Sequence, residues 1–238
     1  MDLDQYKTIW PKSVPVLSPE QQQARERFML GWHEILPKKY AYVEDFNHSW
    51  ISKLPIKRNS KSLEVGAGIG EHFFWEDQNI QTYYQLDYRE EFCKLIRDNT
   101  KSNLVFCDDI QSKTQFENST FDRVLTVHVL EHLPNLPAAL LEIIRILKDD
   151  GCFDVVIPCE GGLAYSIARK ISAQRYFEKT FKMDYLPIVK SEHINTFPEI
   201  MAELKKYFKV EQSSFFPLKV PFYPINLCTA MRLTKIKI

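Results

Sequence analysis

The chain lacks a net charge: 31 Lys and Arg residues stand against 31 Asp and Glu, and the sequence pI is about 7.0. A broad electrostatic grip on nucleic acid is therefore not favoured, because such proteins present a basic face or stripe. No segment reaches the ~18 consecutive apolar residues needed to span a bilayer. The opening Met1-Asp2-Leu3-Asp4 is acidic, with no long apolar stretch behind it, so no secretory leader is expected. The five cysteines (Cys93, Cys107, Cys152, Cys159 and Cys228) are odd in number, irregularly spaced and without a C-x-x-C pair. They imply no disulfide framework and suggest reduced thiols in a cytoplasmic protein, with Cys107 and Cys152 as core residues of strands. There is no internal repeat and no low-complexity tract. What remains is an ordinary globular composition, 45% hydrophobic and 26% charged over 238 residues. That is enough for one sizeable domain with additions.

The most informative stretch is Leu63-Glu64-Val65-Gly66-Ala67-Gly68-Ile69-Gly70-Glu71. An apolar run ends in an acid, and three glycines follow at alternate positions. This reads as a strand, a tight turn and then a helix. Without a Cβ, the turn lets a ligand approach bare backbone, and a helix start would offer free N–H groups. A dinucleotide fingerprint needs its third glycine one position later, where Glu71 stands, so a nicotinamide cofactor is disfavoured. Three more β-type runs follow. Tyr83 to Leu86 ends at Asp87, Leu104 to Cys107 ends at Asp108-Asp109-Ile110, and Phe121 to Val127 leads into His128-Val129-Leu130-Glu131-His132-Leu133.

In this order and spacing, residues 60 to 158 resemble class I S-adenosylmethionine (SAM) methyltransferases. The resemblance implies an α/β fold: a Rossmann-like, mostly parallel sheet ending in a C-terminal antiparallel hairpin, with helices on both faces. It implies SAM as cofactor. Glu64, Gly66, Ala67 and Gly68 are then assigned to its methionine half and Asp87 to the ribose, with Tyr88 beside the adenine. Asp109 and Ile110 go to the adenine edge and face, and the backbone near Val127 and His128 to the methionine amine and carboxylate. Asp122 reads as a fold residue and Asp108 as a solvated one.

Around this core the chain divides into residues 1–58, 59–158, 159–195 and 196–238. Residues 1–17 should lie extended on the surface. Ser18-Pro19-Glu20-Gln21 is a helix start with a capping box, and that helix should run to about Leu36. Val43, Phe46, Trp50 and Leu54 predict a second helix ending before Pro55. These N-terminal helices are expected to cover either the cofactor or one sheet edge. Leu133 to Leu147 carries a helical apolar stripe, with Gly151 at the position of a C-cap. Residues 159–195 are longer than an ordinary loop and mix helical and aromatic text with Arg169, Lys170, Arg175, Lys179 and Lys182. They are expected to form a cap over the methyl donor that chooses the acceptor. Phe197 to Tyr207 should be a helix, and the segments from Phe208 and from Asn226 the two last strands.

Methyl transfer from a sulfonium mainly needs alignment of the acceptor, but an oxygen nucleophile also needs a proton acceptor. Histidine suits that role near neutral pH. His132 and His193 are the catalytic candidates; His72 reads as a residue of the helix surface. The set His128, Glu131, His132 and His193 also resembles the metal cluster of RNA 3′-terminal 2′-O-methyltransferases, with His128 in place of the first acid. The favoured reading is therefore O-methylation of a small molecule or a glycan or cell-envelope precursor, without a metal. A metal-assisted RNA 2′-O-methyltransferase is the rival, and a non-catalytic methyltransferase-like subunit is the alternative from another class. The apolar stretch from Phe215 to Tyr223 leaves room for peripheral membrane contact.

Overall fold

The computed structural model describes residues 9–236, without the side chains of residues 30 and 32–39; the acidic start at Met1 to Asp4 lies outside the described residues. The strands are β1 (Ser60–Val65), β2 (Gln81–Asp87), β3 (Val105–Cys107), β4 (Phe121–Val127), β5 (Leu147–Pro158), β6 (Phe208–Phe216) and β7 (Cys228–Lys235). They make one sheet in the order β3-β2-β1-β4-β5-β7-β6. All pairs among β1 to β5 are parallel, and β7 runs antiparallel to both β5 and β6. From β1 the chain winds outward to β2 and β3, then returns to β4 on the other side of β1. The carboxyl ends of β1 and β4 thus form the switch point where ligands bind in open α/β sheets.

The central strands are covered on both faces, so they read as nearly continuous apolar text. Side chains still alternate along them. Val124 and Val155 face a core shared with helices α4 (Leu136–Ile146) and α8 (Phe197–Tyr207). Leu125 and Val156 face the other way, onto Ile51 of α2 (Ala41–Ser52). Helix α3 (Glu90–Thr100) packs on β2 and β3.

Helix α1 (Pro19–Lys39) starts as the capping box foretells: Gln21 N donates to Ser18 Oγ at 3.2 Å and Ser18 N to Gln21 Oε1 at 2.9 Å. It runs through Pro37 to Lys39, beyond its expected end. The insertion holds α5 (Leu163–Arg169), a π turn (Lys170–Gln174), α6 (Arg175–Phe181) and α7 (Leu186–Glu192). It shares a separate apolar cluster with α1, in which Phe28 meets Phe177 at 5.4 Å and Tyr185 at 5.7 Å between ring centroids.

Several local expectations are corrected. The glycine turn is followed by one short 3-10 turn, His72–Trp75, rather than by an α-helix. Gly151 lies inside β5, where an added Cβ would stand 2.8 Å from Leu147 Cδ1. Cys107 is exposed, because β3 is an edge strand, and Cys152 is half-buried. Asp108 accepts from Asp109 N and Gln115 N rather than being merely solvated. His72 is buried inside an ionic network.

That network ties the short 3-10 turn and α2 to the sheet. Arg123 on β4 donates Nε–H to Asp154 Oδ2 at 2.7 Å, Nη1 to both Glu76 oxygens at 2.8 and 2.9 Å, and Nη2 to the Ile51 carbonyl. Arg232 on β7 grips both Asp154 oxygens at 2.7 and 2.8 Å and the Pro55 carbonyl. His72 Nε2 donates to Glu76 at 2.9 Å, leaving Nδ1 to accept from His48 Nδ1 at 3.0 Å. Such burial of charge is tolerable because each charged group is matched and hydrogen-bonded.

Acid should loosen this arrangement. Burial lowers the His72 pKa to about 4, overriding the opposing pull of Glu76. Unfolded histidine titrates near 6.5, so between about pH 6.5 and 4 the unfolded chain takes a proton that the folded chain refuses. Stability is full above that window and should fall by on the order of 3 kcal/mol across it. Burial works against the Glu76 carboxylate, but His72 and Arg123 outweigh it and its pKa falls to about 2, so the loss continues from about pH 4.5 downward. Urea midpoints measured at pH 7 and pH 4.5 should differ accordingly, and His72→Asn should flatten the first step.

Candidate functional site

The glycine turn joins β1 to the tip of β2 through hydrogen bonds from Gly66 N and Ala67 N to the Leu86 carbonyl. Gly66 has φ +70°, and a Cβ there would lie 2.5 Å from Val129 Cγ2. This glycine therefore lets the exit of β4 close against the turn. Gly70 is equally enclosed, by Thr100 at 2.8 Å. Gly68 differs: an added Cβ would meet nothing within 4 Å. Its N–H donates to Asp87 Oδ2 at 3.1 Å. The middle glycine thus faces open space beside a buried acid, which is room for a ligand against bare backbone.

Glu64 lies behind this space, at the end of β1. It accepts from Tyr83 Oη at 3.1 Å and Gln85 Nε2 at 3.4 Å. Burial pushes its carboxyl up to about 8 despite both bonds, so a cationic group arriving beside it would restore its charge. Asp87 Oδ1 accepts from the backbone and Nε of Arg89 at 3.1 and 3.3 Å, which fixes the acid at the strand tip. Tyr88 is exposed, and Ile110 is buried. Asp109 accepts from Gln111 N at 2.9 Å, turning the chain after β3. Val127 ends β4, and His128 follows with φ +53°, its N–H held by the Val156 carbonyl at 2.9 Å.

A second group of polar side chains sits where β4 and β5 end. His128 Nδ1 donates to Glu131 Oε1 at 3.2 Å, while Glu131 Oε2 is buried without a hydrogen-bond partner. Burial disfavours this carboxylate, but the His128 bond and the neighbouring imidazoles outweigh it and bring its pKa to about 2. Burial lowers the His132 pKa. A carbonyl only accepts, so His132 Nδ1 donates to Glu192 O, 2.6 Å away. His193 Nδ1 donates to Glu160 Oε2 at 3.0 Å, and Glu160 also pairs with Arg169. Both imidazoles therefore keep the Nε2 lone pair as their proton acceptor. Their rings stand 5.1 Å apart, edge to face. The end of the insertion is stitched to the exit of β4: Ile194 N and Asn195 N donate to the Glu131 carbonyl, and Asn195 Nδ2 to the Leu130 and Leu133 carbonyls at 2.8 Å.

Thus Glu64, Gly66, Ala67, Gly68, Asp87, Tyr88, Asp109, Ile110, Val127 and His128 all lie on loops or strand ends at one edge of the sheet. His132 and His193 come together although the insertion separates them in sequence. The four-residue metal set does not assemble. Among the described residues no group of three or more His, Cys, Asp or Glu side chains is arranged to hold an ion. Sequence reasoning missed Glu160 and Tyr165, and named Arg169 only as one of the insertion's cations, where the structure pairs it with Glu160. Glu160 had a signal, since it is the acid just past the end of β5, as Asp87 is at the tip of β2.

The sheet order, the antiparallel last strand and the glycine turn are those of the class I SAM-dependent methyltransferase fold. The family model "Methyltransferase domain" matches residues 63–155, and the chain carries that domain. A SAM-dependent methyltransferase from Thermotoga maritima superposes with TM-score 0.61 at 20% identity, covering 90% of this chain and 99% of that one. Over 124 residues the chain is 28% identical to the sterol 24-C-methyltransferase of Neurospora crassa, covering 49% of this chain and 32% of that protein. It is 26% identical over 125 residues to (S)-coclaurine N-methyltransferase of Papaver somniferum, covering 49% and 34%. The chain spans about a third of the length of the first sterol methyltransferases it matches. Among the described residues, no helix is long and apolar enough to cross a membrane.

Proposed function

We propose that this chain is an active SAM-dependent methyltransferase that methylates an oxygen on a small molecule. The observation that carries the cofactor part is the open face of Gly68 between Asp87 and Glu64. Asp87 suits the ribose hydroxyls, because a carboxylate fixed by Gly68 N–H can accept from both. Glu64 suits the methionine ammonium, which would offset the burial that now protonates it. SAM supplies a methyl group already activated on a sulfonium and departs as a neutral thioether. The protein's part is then to align the acceptor hydroxyl and take its proton as the new O–CH3 bond forms. His193 is suited to this, with Nδ1–H fixed on Glu160 and Nε2 free to accept; the carboxylate stabilises the imidazolium that results. His132 stands beside it with the same tautomer. Relatives named for a sterol and an alkaloid precursor favour a small organic acceptor.

Calorimetry with S-adenosylhomocysteine tests the cofactor site. Micromolar binding, about −8 kcal/mol, is expected. Asp87→Ala should weaken it by roughly 10- to 100-fold, since hydrogen bonds to a charged acceptor contribute ~1.5–3 kcal/mol. Absence of binding by the wild-type protein would remove this reading.

A further inference from the structure

We infer that the outward face of α5 and α6, together with the loop over residues 217–225, docks on an anionic membrane surface. Leu163, Ile167 and Ile171 recur along one side of the inserted helix and are 51–70% exposed. The opposite side is the packed one: Ala173 and Phe177 are buried against α1, and Tyr165 and Arg169 reach His193 and Glu160. The 217–225 loop adds Leu218, Val220, Phe222 and Ile225, all exposed. It lies beside the start of α5, where a Cβ on Gly162 would meet the Tyr223 carbonyl at 3.0 Å. The two stretches therefore make one apolar patch, of a kind that soluble surfaces rarely carry without a partner.

Charge selects the partner. Lys170, Arg175, Lys179 and Lys219 are exposed on these same segments, and none makes an ion pair among the described residues. The exposed acid Asp184 lies past the end of α6, where it caps α7 through Leu186 N. An apolar helical stripe rimmed by cations is the pattern of an interfacial helix lying in the headgroup plane. Anionic headgroups attract each such cation, whereas a second copy would bring the same cations together and repel. Docked in this way, α5 would hold Tyr165, His193 and Glu160 on its protein side and the lipid on the other. An acceptor drawn from the lipid phase would then have a short path to His193; that last step rests on the methyltransferase reading, whereas the docking does not.

Sedimentation with phosphatidylcholine vesicles, with and without phosphatidylserine, is the test. The full chain should sediment with the mixed vesicles and bind pure phosphatidylcholine at least about tenfold more weakly. Leu163→Asp with Ile167→Asp should cut binding to the mixed vesicles by at least about tenfold, and Lys170→Glu with Lys219→Glu should do the same. S-adenosylhomocysteine affinity should stay unchanged in both variants, which separates the docking surface from the cofactor site. Wild-type protein remaining in the supernatant would overturn the proposal. So would equal binding by wild type and the charge-reversed variant, or a solution dimer that Leu163→Asp with Ile167→Asp dissociates.

Discussion

Replacing His193 with alanine is expected to slow methyl transfer by roughly 10²- to 10⁴-fold, the usual cost of losing a general base, with S-adenosylhomocysteine affinity nearly unchanged. The reasoning is geometric. Glu160 accepts from Nδ1, so the Nε2 lone pair is the free proton acceptor, and the imidazole stands beside His132 at the exit of β4. Single-turnover formation of S-adenosylhomocysteine with an oxygen acceptor would measure the loss. Glu160→Gln should also lower the rate, because an amide can present either a donor or an acceptor to Nδ1 and no longer fixes the tautomer. The ¹⁵N shifts of the His193 ring report that tautomer without any turnover. Unchanged turnover in His193→Ala would remove this residue as the base and leave His132 as the remaining candidate.

Asp154→Ala is expected to cost about 3–5 kcal/mol of stability, the typical penalty for stranding a buried charge. Asp154 is fully buried on β5 and is gripped by both Arg123 and Arg232. Its removal leaves two guanidinium groups short of one carboxylate, and Arg123, itself buried, keeps only Glu76 and a carbonyl. A large fall in the urea midpoint is the expected readout; a change below about 1 kcal/mol would mean that water or rearrangement compensates. The consequence should reach the cofactor site, since the same network seats α2 and the 3-10 turn that follows the glycines.

How far the sequence carried the fold can be read from particular elements. The strand ending in Glu64, the acid Asp87 at the tip of β2, the run from Phe121 to Val127 and the helix from Phe197 to Tyr207 were all visible as patterns of period two or period 3.6 bounded by glycine, acid or proline. Each of those signals is local. That the helix after Gly70 would be only a 3-10 turn was not legible, because the groups that hold it, Arg123 on Glu76 and His48 on His72, come from elsewhere in the chain. His72 looked like a surface residue for the same reason: what buries it is His48, distant in sequence.

The sequence by itself determined the class of the domain and the residues at the strand ends, because motif order, glycine spacing and strand-terminal acids are properties of short segments. It also determined which histidines could act. Only the tertiary structure decided which of them lie together. Pairing of His193 with Glu160, and the approach of His132, depend on the insertion folding back from β5 to the exit of β4, a long-range contact that no local pattern encodes. The same folding back decided that one side of α5 faces the site and the other faces solvent, since a helix has two sides by periodicity but acquires an inside only from what packs against it.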